Sequence, residues 1–370
     1  MQVQLFKPRI REEAITAVTE VLRSGWIGLG PKTADFEKEF AAYIGAPYCV
    51  GLNSCTSALH LAVKLLDLEP GDEVITTPVT FVSTNHVILY ERLKPVFADI
   101  QPLTGNLDPR SVEERITPRT RAVIAMHYGG CPCDLDELYA LGRKHNLAIV
   151  EDCAHACGAE YHGKKIGSHG DLHAFSFHAV KNLPTGDGGA LTVRSAAHYE
   201  KLRRLRWMGI DKNTYERSDA ATQKAYSWEY DVREVGFKYH MSDIEAAIAR
   251  EQLKFLDEDN ARRAEIVSMY YSELANVPGL ELLRQKADRR SSNHLCCVLA
   301  EERDRLVDKL RNSGVGVSVH YRRNDLYPMY EESRVPNAER FCSRVISLPL
   351  HLFLQDEDIC YVSGLIREGW

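Results

Sequence analysis

A chain of 370 residues, 44% hydrophobic and 26% charged, has the balance of a globular protein and room for one large domain and a smaller one. Its net charge of -6 excludes a general attraction to nucleic acid or to an anionic membrane surface. No apolar run is long enough to span a bilayer, the N-terminus lacks a signal-peptide pattern, and the ten cysteines are scattered without zinc-site spacing. Reduced thiols, a cytoplasmic location and no bound metal are therefore expected.

Ile15, Val18, Val21 and Leu22 recur at helical spacing, and the helix should stop in Ser24-Gly25-Trp26-Ile27-Gly28-Leu29-Gly30-Pro31. Trp26 in that turn either caps the core or forms part of a binding rim. Helical patterning resumes from Thr33 to Ile44 through Phe36, Phe40 and Tyr43. A short apolar strand, Cys49 to Leu52, then breaks into Asn53-Ser54-Cys55-Thr56-Ser57 and opens a helix reaching Leu66. Small side chains let the free amides of a helix N-terminus approach a phosphate, and the hydroxyls of Thr56 and Ser57 add donors. By itself the same pattern is an ordinary N-cap. After the turn Pro70-Gly71-Asp72 comes a strand at Glu73 to Thr77, and another helix starts within Thr80 to Thr84. Phe81 falls at that junction, where an aromatic can pack in a core or lie against a flat heterocycle.

Further strands are expected at Pro95 to Ile100, Ala122 to His127, Leu147 to Val150, His173 to Phe177 and Ala190 to Val193, with a helix at Leu135 to His145. This alternation implies an α/β fold with a largely parallel sheet, whose ligand sites lie outside the strand ends. Two strand ends carry chemistry. Val150-Glu151-Asp152 ends on carboxylates with His155 close behind, and Phe175-Ser176-Phe177-His178 delivers Lys181 to the glycine-rich loop Thr185-Gly186-Asp187-Gly188-Gly189. A lysine just past a buried strand loses part of its charge, because desolvation disfavours the ammonium form. The neutral amine can attack a carbonyl and form a Schiff base. Such a lysine, with an aspartate for a pyridinium nitrogen, is what a pyridoxal phosphate enzyme needs most.

The charged stretch Asn213 to Lys224 reads as exposed or mobile and is given no chemistry. Ser242 is a plausible N-cap with Glu245 closing a capping box, for a helix reaching about Asp257. Beyond Val277-Pro278-Gly279 the pattern changes to shorter strands, a helix at Arg303 to Asn312, and apolar strand-like runs at Val317 to Tyr321 and Val345 to His351. The expected division is a large domain over 1–247, including the N-terminal segment, and a smaller α+β domain over 248–370.

Several of these stretches together carry a resemblance: Ser24-Gly25-Trp26, Pro70-Gly71-Asp72-Glu73-Val74, Lys94-Pro95-Val96-Phe97, Glu151-Asp152, Ser176-Phe177-His178 with Lys181, and Val319-His320-Tyr321. In this order and nearly end to end, the chain resembles the DegT/DnrJ/EryC1/StrS aminotransferases, the sugar aminotransferase branch of fold type I pyridoxal phosphate enzymes. The resemblance implies a homodimer with shared active sites that moves an amino group from L-glutamate to a nucleotide-linked keto sugar. It implies pyridoxal 5'-phosphate as cofactor, passing through pyridoxamine 5'-phosphate. Lys181 then carries the Schiff base and serves as acid and base of the 1,3-proton shift. Asp152 pairs with the pyridinium nitrogen, and Phe81 stacks on one ring face with His155 near the other face or the ring hydroxyl. Thr56, Ser57 and Ser176 hold the phosphate.

The family's partner subunit supplies an asparagine to that phosphate. The corresponding segment here is Gly236-Phe237-Lys238-Tyr239-His240-Met241, so Lys238 replaces the amide with a charge-assisted contact, and His240 stands where an arginine is usual. Pro184 also departs from the family's Thr or Ser. Trp26, His178, His320 and Tyr321 are the substrate candidates. His178, three residues before Lys181 and followed by the glycine-rich loop, leans by analogy to amination at C4 of a 4-keto-6-deoxyhexose. The alternatives are amination at C3, a cyclitol or keto sugar acid as acceptor, or a non-catalytic regulatory member. Lys181 together with Asp152 and the phosphate hydroxyls argues against the last, and Lys181 argues against the related dehydratases, which carry a histidine there.

Overall fold

The computed structural model describes residues 1–211 and 230–370, and the charged stretch at 213–224 lies outside them. In chain order the strands are β1 Tyr48–Leu52, β2 Glu73–Thr76, β3 Lys94–Phe97, β4 Thr120–Met126, β5 Ala148–Asp152, β6 Glu160–Tyr161, β7 Lys164–Lys165, β8 Leu172–Ser176 and β9 Gly189–Val193. They continue with β10 Leu280–Leu282, β11 Arg289–Arg290, β12 Cys296–Ala300 and β13 Val345–Leu348. Seven of them form the main sheet in the order β1-β9-β8-β5-β4-β2-β3. From β8 to β3 every pairing is parallel, whereas β9 runs antiparallel to both β8 and β1.

Side chains of a strand alternate between faces, and both faces of this sheet are apolar. In β4 Val123 and Ala125 join one core with Phe36, Phe40 and Phe175, while Ile124 points into the other with Leu59, Leu61 and Ile88. Ile149 and Val150 of β5 divide in the same way, as do Ala190 and Leu191 of β9. This two-sided burial explains why these strands read as nearly continuous apolar runs, and it pushes polar chemistry to the strand ends.

A second sheet, β10-β12-β13, is fully antiparallel and shares a core with helices Leu256–Glu273, Arg303–Asn312 and Asp356–Arg367. A further cluster, in which Met126 and Tyr128 meet Leu295, Cys297 and Phe341, packs this sheet against the first. The N-terminal segment returns to this region, where Val3 bridges to Val315. No helix among the described residues is long and apolar enough to cross a membrane. All ten cysteines are free thiols and eight are buried.

Two expectations are corrected. The helix capped by the Ser242–Glu245 box stops at Leu253, and a separate helix starts at Leu256. Phe255 breaks the run at φ -114° and ψ 2°, with its ring beneath the Arg11 guanidinium, 3.9 Å away. The run Val317 to Tyr321 forms no strand. It makes one bridge, Ser318 to Ser347, and then leaves the sheet edge to put His320 and Tyr321 into a cavity wall.

Candidate active site

The ends of β5 and β8 leave the sheet side by side. The glycine-rich loop folds back along the segment after β8, with Phe177 N–H donating to Gly188 O and Ala179 N–H to Gly186 O. The fold-back needs Gly186 and Gly188 at φ +96° and +140°, a region that disfavours any side chain. Lys181 then closes a turn by donating its backbone N–H to His178 O at 2.8 Å. Gly189 brings β9 so close to the helix starting at Cys55 that a Cβ there would lie 2.4 Å from the Ser54 carbonyl carbon.

These elements enclose a cavity of about 420 Å³ lined by Thr56, Phe81, Asp152, His155, Ser176, His178, Lys181, His320 and Tyr321. Phe81 is 58% exposed, so it belongs to the cavity mouth and not to a core. His178 is exposed at the same rim. Three predicted residues are not brought to this wall. Ser57 is buried, with its hydroxyl donating to Asn53 Oδ1 at 2.6 Å. The Trp26 indole N–H donates to Leu29 O at 3.2 Å. Lys238 places its ammonium 3.3 Å from the centre of the Trp207 ring.

Asp152 is 2% exposed. Its Oδ2 accepts from the Thr84 hydroxyl at 2.7 Å and its Oδ1 from the Ala154 amide at 3.0 Å. Burial raises its pKa above the ordinary value, and those two bonds together with Lys181 partly offset the rise. Burial pushes the Lys181 amine down to about 8, with Cys55 and Asp152 pulling the other way. His155 stays neutral, because burial and the neighbouring Lys181 hold its pKa well below the usual range. Its Nδ1 accepts the Gly129 amide at 3.3 Å, so the ring proton sits on Nε2, 3.1 Å from the Tyr321 hydroxyl. His320 is pushed down to about 4 by burial and Lys181, and its Nδ1 lies 2.7 Å from Ser347 Oγ.

The donor set fits pyridoxal phosphate. A partly neutral amine, a buried carboxylate and an aromatic at the mouth line one cavity. At its other side the helix Cys55–Leu65 begins, where the Cys55 and Thr56 amides have no carbonyl within the helix to bond and are suited to an anion. Lys181, Asp152, Thr56 and Ser176 are the lining residues that would hold the group.

Residues 8–367 match the model of the DegT/DnrJ/EryC1/StrS aminotransferase family. The chain belongs to that family. The spore coat polysaccharide biosynthesis protein SpsC of Bacillus subtilis is 41% identical over 374 residues, 98% of this chain and 95% of SpsC. The crystal structure of the aminotransferase TlmJ from Streptoalloteichus hindustanus superimposes with a TM-score of 0.93 at 35% identity, covering 100% of this chain and 98% of TlmJ. Spr1654 from Streptococcus pneumoniae, solved in a PLP form, gives a TM-score of 0.91 at 32% identity, covering 100% of this chain and 98% of Spr1654. Family and neighbours together make the architecture fold type I, and pyridoxal phosphate the cofactor the family uses.

Sequence reasoning missed Thr84, Asn182 and His294, all buried around Asp152 and Lys181. Asn182 directly follows Lys181 and was open to notice. His294, in Ser291-Ser292-Asn293-His294, has no periodicity or motif spacing that marks it.

Proposed function

We propose that this family member transfers an amino group from L-glutamate to a nucleotide-linked keto sugar, at C4 of a 4-keto-6-deoxyhexose. The observation that carries the reading is the pairing of Lys181, with its amine near pKa 8, and the buried Asp152 carboxylate in one cavity wall. Bound there, pyridoxal phosphate supplies an electron sink that acidifies the carbon bearing the amino group. Lys181 Nζ, uncharged in a useful fraction at neutral pH, takes that proton and returns it one carbon along the 1,3-shift. Asp152 keeps the ring nitrogen protonated by offering it an anion. Thr56, Ser176 and the helix N-terminus orient the phosphate, and Phe81 covers the ring. Tyr321, fixed by the Nε2–H of His155, sets the opposite wall.

The choice of C4 rests on the family analogy for His178 and is supported by its place at the rim, where a sugar would enter. A homodimer completes the reading: Lys238, off the cavity of its own chain, reaches the phosphate of the partner subunit.

The test is the visible spectrum of the purified holoenzyme before and after L-glutamate. A yellow band bleached by glutamate is the expected result, and its return on adding a nucleotide-linked 4-keto sugar completes the cycle. Return with 3-keto sugars alone overturns the C4 reading. No band, even with added pyridoxal phosphate, overturns the enzyme reading.

A further inference from the structure

His294 lies just ahead of β12, is 2% exposed and belongs to none of the motifs. Its Nε2 stands 3.3 Å from Lys181 Nζ and its Nδ1 stands 3.1 Å from Asn182 Oδ1. The direction of each hydrogen bond follows from an anchor at the backbone. The Asn260 amide nitrogen donates to Cys157 O at 3.0 Å, which turns Asn260 Oδ1 toward Asn182. Asn182 Nδ2 donates to that oxygen and to Ser292 O, each at 2.7 Å. With both amide hydrogens engaged, Asn182 Oδ1 is left as an acceptor, and His294 Nδ1 carries the proton it receives. A neutral imidazole protonated at Nδ1 presents a lone pair at Nε2.

We propose that His294 is a positioning residue for Lys181: its Nε2 accepts one N–H of the lysine amine and thereby aims the nitrogen's lone pair into the cavity. The proposal rests on the reading that Lys181 is the reacting amine. An amine free to rotate about its last bond spreads its lone pair over many directions, whereas one N–H held by a fixed ring restricts it. The ring itself is held. Phe6 stacks on it with centroids 6.0 Å apart and planes 6° from parallel, and the His155 ring packs at 4.3 Å.

The neutral state is enforced from every side. Burial acts first, and the charged or titratable groups facing His294 are Lys181, His155, Arg263 and His320, all of which disfavour an imidazolium. His294 is therefore an acceptor toward Lys181 and never a competing cation at neutral pH. The contact concerns the free amine, the state Lys181 has in the apo-protein and whenever it is released to move a proton.

The experiment compares wild type, His294→Phe and His294→Gln. The first readout is the pH dependence of the rate at which the apo-protein takes up pyridoxal phosphate, followed by the visible band. The second is the single-turnover reaction of the holoenzyme with L-glutamate. Wild type should show a midpoint at about 8. An acceptor bond in a dry site favours the charged amine, so His294→Phe should lower the midpoint by about one unit. It should also slow the glutamate step about tenfold without changing the glutamate concentration for half-maximal rate. His294→Gln, which keeps an amide oxygen and N–H in reach, should recover most of both.

A loosened, water-filled site would instead move the midpoint upward toward the ordinary 10.5, and that result overturns the proposal. So does a His294→Phe protein with wild-type midpoint and rate, or a His294→Gln protein as impaired as His294→Phe. If glutamate fails to bleach wild type, the aminotransferase reading falls, while the midpoint comparison still decides the role of His294.

Discussion

Thr84 Oγ1 donates a hydrogen bond of 2.7 Å to Asp152 Oδ2, joining the first turn of the helix Ser83–Tyr90 to the end of β5 across 68 residues. Thr80 Oγ1 lies 2.7 Å behind Thr84 Oγ1, and because Thr84 gives its proton to the carboxylate, Thr80 is the donor in that pair. The carboxylate is thus oriented before any ring nitrogen arrives. Replacing Thr84 with valine keeps the shape and removes the donor. A hydrogen bond to a charged group contributes about 1.5 kcal/mol, so Thr84→Val should weaken retention of pyridoxal phosphate about tenfold. Titration of the apo-protein with the cofactor measures this, and an unchanged dissociation constant refutes the orienting role.

Lys181 links cofactor chemistry to pH. Its folded-state pKa of about 8 lies below the ordinary 10.5, so between those values the unfolded chain binds more protons than the folded one. This group therefore makes the apo-protein more stable as pH rises through that window, and at pH 7 the folded state bears the whole cost of burying the ammonium. Lys181→Met should unfold at a higher temperature than the wild-type apo-protein at pH 7. By pH 10 the gap should have narrowed. A mutant that gains nothing at pH 7 would contradict the depressed pKa.

Glu151 neighbours Asp152 in β5 but points to the opposite face, where it is fully buried. His127 Nε2 lies 3.0 Å from its Oε2, His127 Nδ1 accepts the Cys133 amide at 3.0 Å, and the Tyr139 hydroxyl donates to its Oε1. Burial works to raise its pKa, but His173 and His127 outweigh it and hold the carboxyl well below the usual range. The stability it contributes is present above the unfolded value of about 4.3 and lost as pH falls further. Glu151→Gln should cost about 3 kcal/mol in urea unfolding at pH 7. The difference between mutant and wild type should shrink on acidification below pH 4, and a difference independent of pH would sink this account.

Gly189 tests the contact between β9 and the start of the helix Cys55–Leu65 at the cavity wall. Gly189→Ala puts a methyl 2.4 Å from the Ser54 backbone, where nothing can yield without moving the helix start. Loss of cofactor retention with a stability cost of about 2 kcal/mol is expected. Gly186→Ala meets no atom within 4 Å and is strained only by φ +96°, so it should cost about 1 kcal/mol and keep the cofactor. Equal effects at the two positions would argue that the close approach is unimportant.

Much of the fold was written in local pattern. Strands such as Ala148–Asp152 and Leu172–Ser176 are short apolar runs because both faces of the sheet are buried, and such runs are visible without knowing what covers them. Lys181 beside a glycine-rich loop, and Asp152 at a strand end, were legible for the same reason, since their surroundings in sequence are also their surroundings in space. The tertiary structure decided the rest. Thr84 and Asp152 are 68 residues apart, and Lys181 and His294 are 113 apart. Periodicity states which face of an element is apolar, but it carries no record of which distant polar side chain will be buried against which. Those pairings exist because tertiary packing buries Thr84, Asp152 and His294 and removes water from both partners at once, leaving each the other's available hydrogen-bond partner.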